Sequence, residues 1–169
     1  MSMNTGVWIG EETSKCVVQP PEVKINPNGV DLSVSEVWKF SEKSIARIHG
    51  KERTISPEKE LIKPKEDGFY YLKEGTYELR TANKVNIPDN AVGFCFPRST
   101  LNRFGVIKSE TAVWDSGYSG YGTLTVRVTI EELQIHKNEF WFQLVIMGMK
   151  ENTKQRYDGH WQGEAPKEE

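Results

Sequence analysis

The residues able to do chemistry crowd into positions 97–122. Pro97-Arg98-Ser99-Thr100-Leu101-Asn102-Arg103-Phe104-Gly105 joins a guanidinium and two hydroxyls to the start of a short helix. Unpaired backbone N–H groups and the helix dipole converge at such a start, which makes it a natural anion site. The blander expectation is an ordinary N-cap beside a surface arginine. Trp114-Asp115-Ser116-Gly117-Tyr118-Ser119-Gly120 follows. Asp115 there is either a turn opener or a carboxylate that holds and deprotonates a water. Tyr118 is either core or a ring to stack on a sugar or base. A polyphosphate grip, a base and a stacking ring in one stretch point to nucleotide chemistry. A third cluster, Gln155-Arg156-Tyr157-Asp158-Gly159-His160-Trp161-Gln162-Gly163, puts a cation and aromatic rings into an otherwise polar tail. Such rings dock on something, either a ligand, as a lid, or a neighbouring subunit.

Composition bounds the options. The 169 residues are enough for one domain with a core and short for two. A net charge of −2 argues against a sequence-independent nucleic-acid binder. It leaves room for a nucleotide, which needs only a few local cations. No apolar run reaches the roughly 20 residues of a membrane span, and 1–10 lack the basic and apolar regions of a signal peptide. The two cysteines, Cys16 and Cys95, are far apart, so a disulfide framework is not expected and a cytoplasmic address follows. Cys95 lies in an apolar run and reads as core. Without Cys-x-x-Cys or a matching His-x-Glu, the zinc-dependent nucleobase deaminase signature is absent.

The elements that must position these groups read as strands. Thr123-Leu124-Thr125-Val126-Arg127-Val128-Thr129-Ile130 alternates cleanly, with Leu124, Val126, Val128 and Ile130 on one face. Val30, Leu32 and Val34 alternate too, then slip near Ser35, which predicts a bulge or bend. Further strands are expected at 45–48, 68–72, 76–80, 91–96 and 139–149, divided by turns such as Glu74-Gly75 and Pro88-Asp89-Asn90. One helix is clear, capped by Ser99 or Thr100 and closed by Gly105 in a left-handed conformation. A second is expected within 32–40. The fold class is all-β, an antiparallel jelly-roll-like barrel or sandwich with one short helix. Residues 1–150 form the β domain, and 151–169 a mobile C-terminal arm or lid.

Taken in order, these segments resemble the dUTPase / dCTP deaminase superfamily, over most of the chain from Gly29 to Gly163. Gly29-Val30-Asp31-Leu32 is similar to the first family motif, Pro97-Arg98-Ser99-Thr100-Leu101 to the second, 114–120 to the third, Phe140-Trp141-Phe142-Gln143-Leu144-Val145 to the fourth, and 156–163 stands where the fifth belongs. Phe140-Trp141-Phe142 departs from the usual Arg-Ile-Ala, and the Gly-Phe-Gly-Ser-Thr run of the fifth motif is missing. Thr111-Ala112-Val113-Trp114-Asp115 looks like the archaeal dUTP diphosphatases that share features with the deaminases. The resemblance implies Arg98, Ser99, Thr100 and Gln143 on the phosphates. It implies Tyr118 on the deoxyribose, and backbone groups around Thr111, Ala112, Val113 and Trp114 on the uracil edge. Arg156 and Trp161 would close as a lid, with Tyr157 the other possible stacking ring. Mg²⁺ would be held through water by Asp31 and Gln143, and the assembly would be a homotrimer.

Chemistry separates the two activities on this scaffold. Deaminating cytosine without zinc needs a carboxylate near C4 to shuttle protons. The family places that glutamate ten residues after the shared aspartate, and here the position is Thr125. No acidic residue occurs from Ser116 to Ile130. The base for hydrolysis, Asp115, is present. The expected activity is conversion of dUTP and water to dUMP and diphosphate. The alternatives are a dCTP deaminase or bifunctional enzyme, and a non-catalytic nucleotide-sensing module.

Overall fold

The computed structural model describes residues 5–49, 52–55, 57–109 and 113–166. The elements in chain order are β1 (Gly6–Val7), α1 (Gly10–Ser14), β2 (Lys24–Asn26), β3 (Gly29–Phe40), β4 (Arg47–His49), β5 (Glu52–Ile55), β6 (Lys59–Ile62) and β7 (Phe69–Thr81). There follow β8 (Val85–Asn86), β9 (Ala91–Pro97), α2 (Ser99–Arg103), β10 (Val106–Lys108), β11 (Val113–Trp114), β12 (Ser119–Gly120), β13 (Thr123–His136) and β14 (Phe140–Gly148). The fold is all-β and jelly-roll-like, with two short helices rather than one among the described residues; α1 was not foreseen. No described helix is long and apolar enough to cross a membrane.

One antiparallel sheet dominates, in the order β10-β13-β7-β3-β14-β9-β11, with β2 and β6 also on β3 and β1 on β14. It curls because β3 changes partners along its length. Val30 to Ser33 pair with β14, whereas Val34 to Lys39 pair with β7. The register shifts between Val34 and Glu36, where the alternation of the sequence slips, and the extra residue bends the strand from one layer into the other. The helix expected within 32–40 is therefore a correction: the β-branched valines and the bulge hold all of it in β3.

Two further strands run longer than expected. Residues 68–72 and 76–80 are parts of the single strand β7, which passes through Glu74-Gly75 without turning. Gly75 takes φ 153° opposite the register shift between Val128 and Glu132 of β13, so its missing side chain absorbs a bulge. Ile130, expected on the core face with Leu124, Val126 and Val128, falls in that irregularity and is exposed. The strand expected at 45–48 is displaced to β4.

The core is continuous, with Trp141, Phe142, Tyr77, Leu32 and Leu79 fully enclosed. Trp141 and Phe142 are consecutive yet both buried, because β14 shifts register on β3 between Phe140 and Phe142. Burying such rings contributes roughly 2–3 kcal/mol each. Both cysteines are free and buried. Burial holds the Cys95 thiol up at about 12 and, with a lesser push from Glu12, Cys16 at about 11.

Candidate active site in two halves

The first half forms where β3, β14 and β9 lie side by side. Gln143 is in register with Asp31 on one side and Phe96 on the other. Gly29 lets the strands close here: at φ 136°, a Cβ would meet the Leu144 carbonyl oxygen at 2.2 Å. Arg98 follows the end of β9, its N–H donating to the Trp141 carbonyl (3.0 Å). The guanidinium Nε contacts Asp31 Oδ2 at 3.0 Å, and Nη1 contacts Glu139 Oε1 at 2.7 Å and the Phe140 carbonyl at 3.0 Å. Asn26 Nδ2 donates to the other Asp31 oxygen (2.6 Å). Burial raises the Asp31 pKa above its ordinary value, and Arg98 and Asn26 only partly oppose it. Arg98 itself is the N-cap of α2, with no side-chain cap, so the expected capping by Ser99 or Thr100 is corrected. Both hydroxyl residues lie exposed in the first turn, where N–H groups lack intrahelical acceptors. Gly105 ends the helix at φ 78°, as expected.

The second half is built on the far end of β9. Trp114 pairs with Gly93, and Ser116 Oγ donates to the Ala91 carbonyl (2.6 Å). The turn between them is closed by the Tyr118 N–H on the Asp115 carbonyl (3.0 Å), with Gly117 at φ 84°. Asp115 is exposed at its tip. Tyr118 is buried, stacked on Trp114 at 6.0 Å and nearly parallel, with Tyr157 edge-on at 5.7 Å. Burial, then the charge of Glu164, raises its phenol pKa, so the group stays neutral. A cavity of about 260 Å³ opens here, bounded by Asp115, Tyr118, Thr125, Tyr157, Trp161 and Glu164. A second, of about 650 Å³, runs past the other side of Asp115 along Val92 and Arg156.

Arg156 is paired with Asp89 at 2.9 Å, and Trp161 is about half exposed against the His160 ring. Val113 is exposed; Thr111 and Ala112 lie outside the described residues. The tail contacts its own chain at Thr153, Arg156, Tyr157, Gln162, Gly163 and Glu164. It brings two groups that sequence reasoning missed. Glu164 pairs with buried Arg80 (2.9 Å), which also holds Glu36 (3.0 Å). Gln162 contacts the turn at 117–119. No local pattern announces either, because their partners lie more than 40 residues away.

The two halves lie apart on the chain. Asp115 lies beside Val92, and Arg98 is six residues further along the same strand line, about 20 Å at 3.3 Å per residue. Asp31 and Gln143 accompany Arg98, whereas Tyr118, Tyr157 and Trp161 accompany Asp115. The donor set for a metal is one paired carboxylate and one amide. Among the described residues no cluster of three or more His, Cys, Asp or Glu could hold an ion. Such a set fits a hydrated magnesium carried on a polyphosphate and touched through water, not a protein cage.

The chain is 38% identical to an Aeropyrum pernix protein named "Probable deoxyuridine 5'-triphosphate nucleotidohydrolase", over 83% of this chain and 86% of that one. It is 37% identical to a Halobacterium salinarum protein of the same name, over 83% and 84%. It is 29% identical to the deoxyuridine 5'-triphosphate nucleotidohydrolase of Methanocaldococcus jannaschii, over 92% and 98%. The 2'-deoxycytidine 5'-triphosphate deaminase of Agrobacterium tumefaciens shares the fold at TM-score 0.64 and 11% identity, over 85% of this chain and 48% of that one. Residues 8–149 match the dCTP deaminase-like family, and with these relatives across most of its length the chain belongs to that family.

Proposed function

We propose that the chain is a dUTP diphosphatase, converting dUTP and water to dUMP and diphosphate. The observation that carries this is the exposed Asp115 carboxylate at the rim of an aromatic-walled cavity lined also by Thr125, the position to which the family resemblance assigns a deaminase's glutamate. Glu164 borders the same cavity, but its carboxylate is committed to Arg80. The names of the archaeal relatives support the same activity.

In this scheme Asp115 orients a water and takes its proton as the oxygen bonds to a phosphorus of the α–β bridge; the bridging bond breaks and diphosphate leaves. Arg98, Ser99 and Thr100 hold the phosphates, with Arg98 exchanging its exposed partner Glu139 for a phosphate oxygen. Gln143 and Asp31 serve the magnesium shell through water. Bound magnesium supplies charge neutralisation of the triphosphate. Tyr118 and Trp114 form a ring wall against the deoxyribose, backbone groups near 111–114 read the base, and Arg156 and Trp161 cover the nucleotide.

A homotrimer completes the site. The roughly 20 Å between Asp115 and Arg98 is one support, since one protomer's halves face different cavities. The other is an exposed apolar strip of Phe96, Ile107 and Val113 beside a 440 Å³ groove, a surface that assembly would cover. The test is one assay of dUTP, dCTP and UTP with diphosphate and ammonia readouts, beside sedimentation equilibrium. Diphosphate release confined to dUTP is the expected result. Ammonia from dCTP at a comparable rate, or a fully active monomer, overturns the respective part.

A further inference from the structure

The turn that carries Asp115 is not held by its own strand alone. Gly117 N–H donates to the Ile87 carbonyl (2.9 Å), and the Tyr118 N–H closes the turn. The Tyr118 carbonyl accepts from the Ile87 N–H (2.8 Å), and further groups on and just beyond the turn are met by the C-terminal segment. Tyr157 N–H donates to the Ser116 carbonyl (2.9 Å), Gly163 N–H to the Ser119 carbonyl (2.8 Å), and Tyr121 N–H to the Glu164 carbonyl (2.8 Å). Between these backbone contacts sits one side chain. Gln162 Nε2 donates to the Gly117 carbonyl (2.9 Å), and its Oε1 accepts from the Ser119 N–H (2.9 Å). One planar amide thus grips the two peptide groups that flank Tyr118, as a neighbouring strand would.

We propose that Gln162 is a positioning residue for the Asp115 turn: its amide fixes the backbone on either side of Tyr118, so that docking of the segment sets the aim of the Asp115 carboxylate. The inference rests on the hydrolytic role proposed for Asp115. Three features make the clamp specific. The Gln162 N–H donates to the Gly159 carbonyl (3.1 Å), a local turn that presents the side chain inward. Gly117 has no side chain, and a Cβ there would press on Arg156 atoms at 3.0 Å, within the segment that carries the clamp. Two residues on, the Glu164–Arg80 pair anchors the segment in the sheet, so the register of the clamp is set from both ends. A carboxamide of this length supplies both donor and acceptor; Glu offers acceptors alone and Met only a weak sulfur acceptor. If the clamp is lost, the freed groups at Gly117 and Ser119 can turn to water. The fold persists while the carboxylate loses its aim, and misplacement of a catalytic group costs about ten- to a hundredfold.

The experiment compares the full-length protein with Gln162→Met and Gln162→Glu. Steady-state dUTP cleavage gives kcat and KM separately, thermal melting reports the fold, and NMR hydrogen exchange at the Ser119 amide reads the clamp without substrate. The expected result for Gln162→Met is a kcat lower by about tenfold or more, with KM and melting nearly unchanged and faster Ser119 exchange. Gln162→Glu keeps the Ser119 contact and falls between. Faster exchange with unchanged kcat overturns the proposal, as do unchanged exchange and a loss confined to KM. Should the wild-type protein not cleave dUTP, the hydrolytic assignment fails on its own, and Ser119 exchange still decides whether the clamp exists.

Discussion

Replacing Arg98 by Ala tests the first half of the site through stability. The guanidinium faces a carboxylate that is almost fully enclosed, Asp31 at 4% side-chain exposure, while Arg98 itself is 24% exposed. Removing one partner of a buried ion pair costs about 3–5 kcal/mol, because the other charge is left uncompensated. Two features lower that figure here. Asn26 still donates to Asp31, and water can reach the space Arg98 leaves. The contact with half-exposed Glu139 adds little, as surface pairs do. A loss of about 2–3 kcal/mol at pH 7 is expected, or a melting point lower by about 5–10 °C. The proton balance gives the direction with pH. Burial already raises the Asp31 pKa in the folded state, and loss of Arg98 raises it further. A group with a raised folded pKa keeps its full contribution below its unfolded pKa and loses it as pH rises through the folded pKa. The deficit of Arg98→Ala is therefore full at pH 7 and shrinks as pH falls toward about 4. Urea unfolding at pH 7 and pH 5, with Asp31→Asn and the double variant completing a cycle, measures it. A loss under about 0.5 kcal/mol at pH 7, or a deficit independent of pH, would show that Arg98 does not hold the Asp31 charge.

Asp115→Asn should keep the turn and remove the base, lowering kcat for dUTP by about 10²–10⁴ while binding persists; near wild-type turnover would reduce Asp115 to a turn residue. Glu164→Ala leaves buried Arg80 with Glu36 as its remaining ion-pair partner, beside the Tyr121 carbonyl, and should destabilise by about 1–3 kcal/mol, read by urea unfolding; an unchanged midpoint would mean that the tail is not anchored there. Both thiols should resist a disulfide exchange reagent at pH 8 until the protein unfolds, since a pKa of about 11 leaves only about 10⁻³ of Cys16 as thiolate. Their raised pKa values also make stability fall as pH climbs from about 9 toward 11, and Cys16→Ala with Cys95→Ala should flatten that slope.

Much of this was legible where the pattern is local. Alternation at 123–128 named the core face of β13, the slip near Ser35 marked the place where β3 changes layers, and Gly105 closed α2 as expected. The failures within the sheet share one cause. A residue's partner across a sheet is set by register, which the chain writes only through contacts far apart in sequence. Hence Glu74-Gly75 looked like a turn, although a bulge in β13 lets β7 run straight through it. Ile130 looked inward for the same reason. In the site, Asp115, Arg98 and Tyr118 stood out by type and spacing. The roughly 20 Å between Asp115 and Arg98 did not, nor did the partners of Gln162 and Glu164. Nor did the sequence show that polar groups of the tail would meet the backbone of one turn.

Gly122 gives the cavity its width by having nothing to put there. A Cβ at this position would fall 2.1 Å from Cζ2 and 2.6 Å from Cε2 of the Trp114 indole. The indole is thus seated in a space that a single hydrogen leaves open, and Tyr118 is stacked on it. One added methyl would displace the indole and reshape the chamber that it and Tyr118 wall, without altering a charge or a hydrogen-bonding group. Size selectivity in this scaffold can therefore drift through a residue that touches no ligand. The polar complement that does the chemistry is left free to stay as it is.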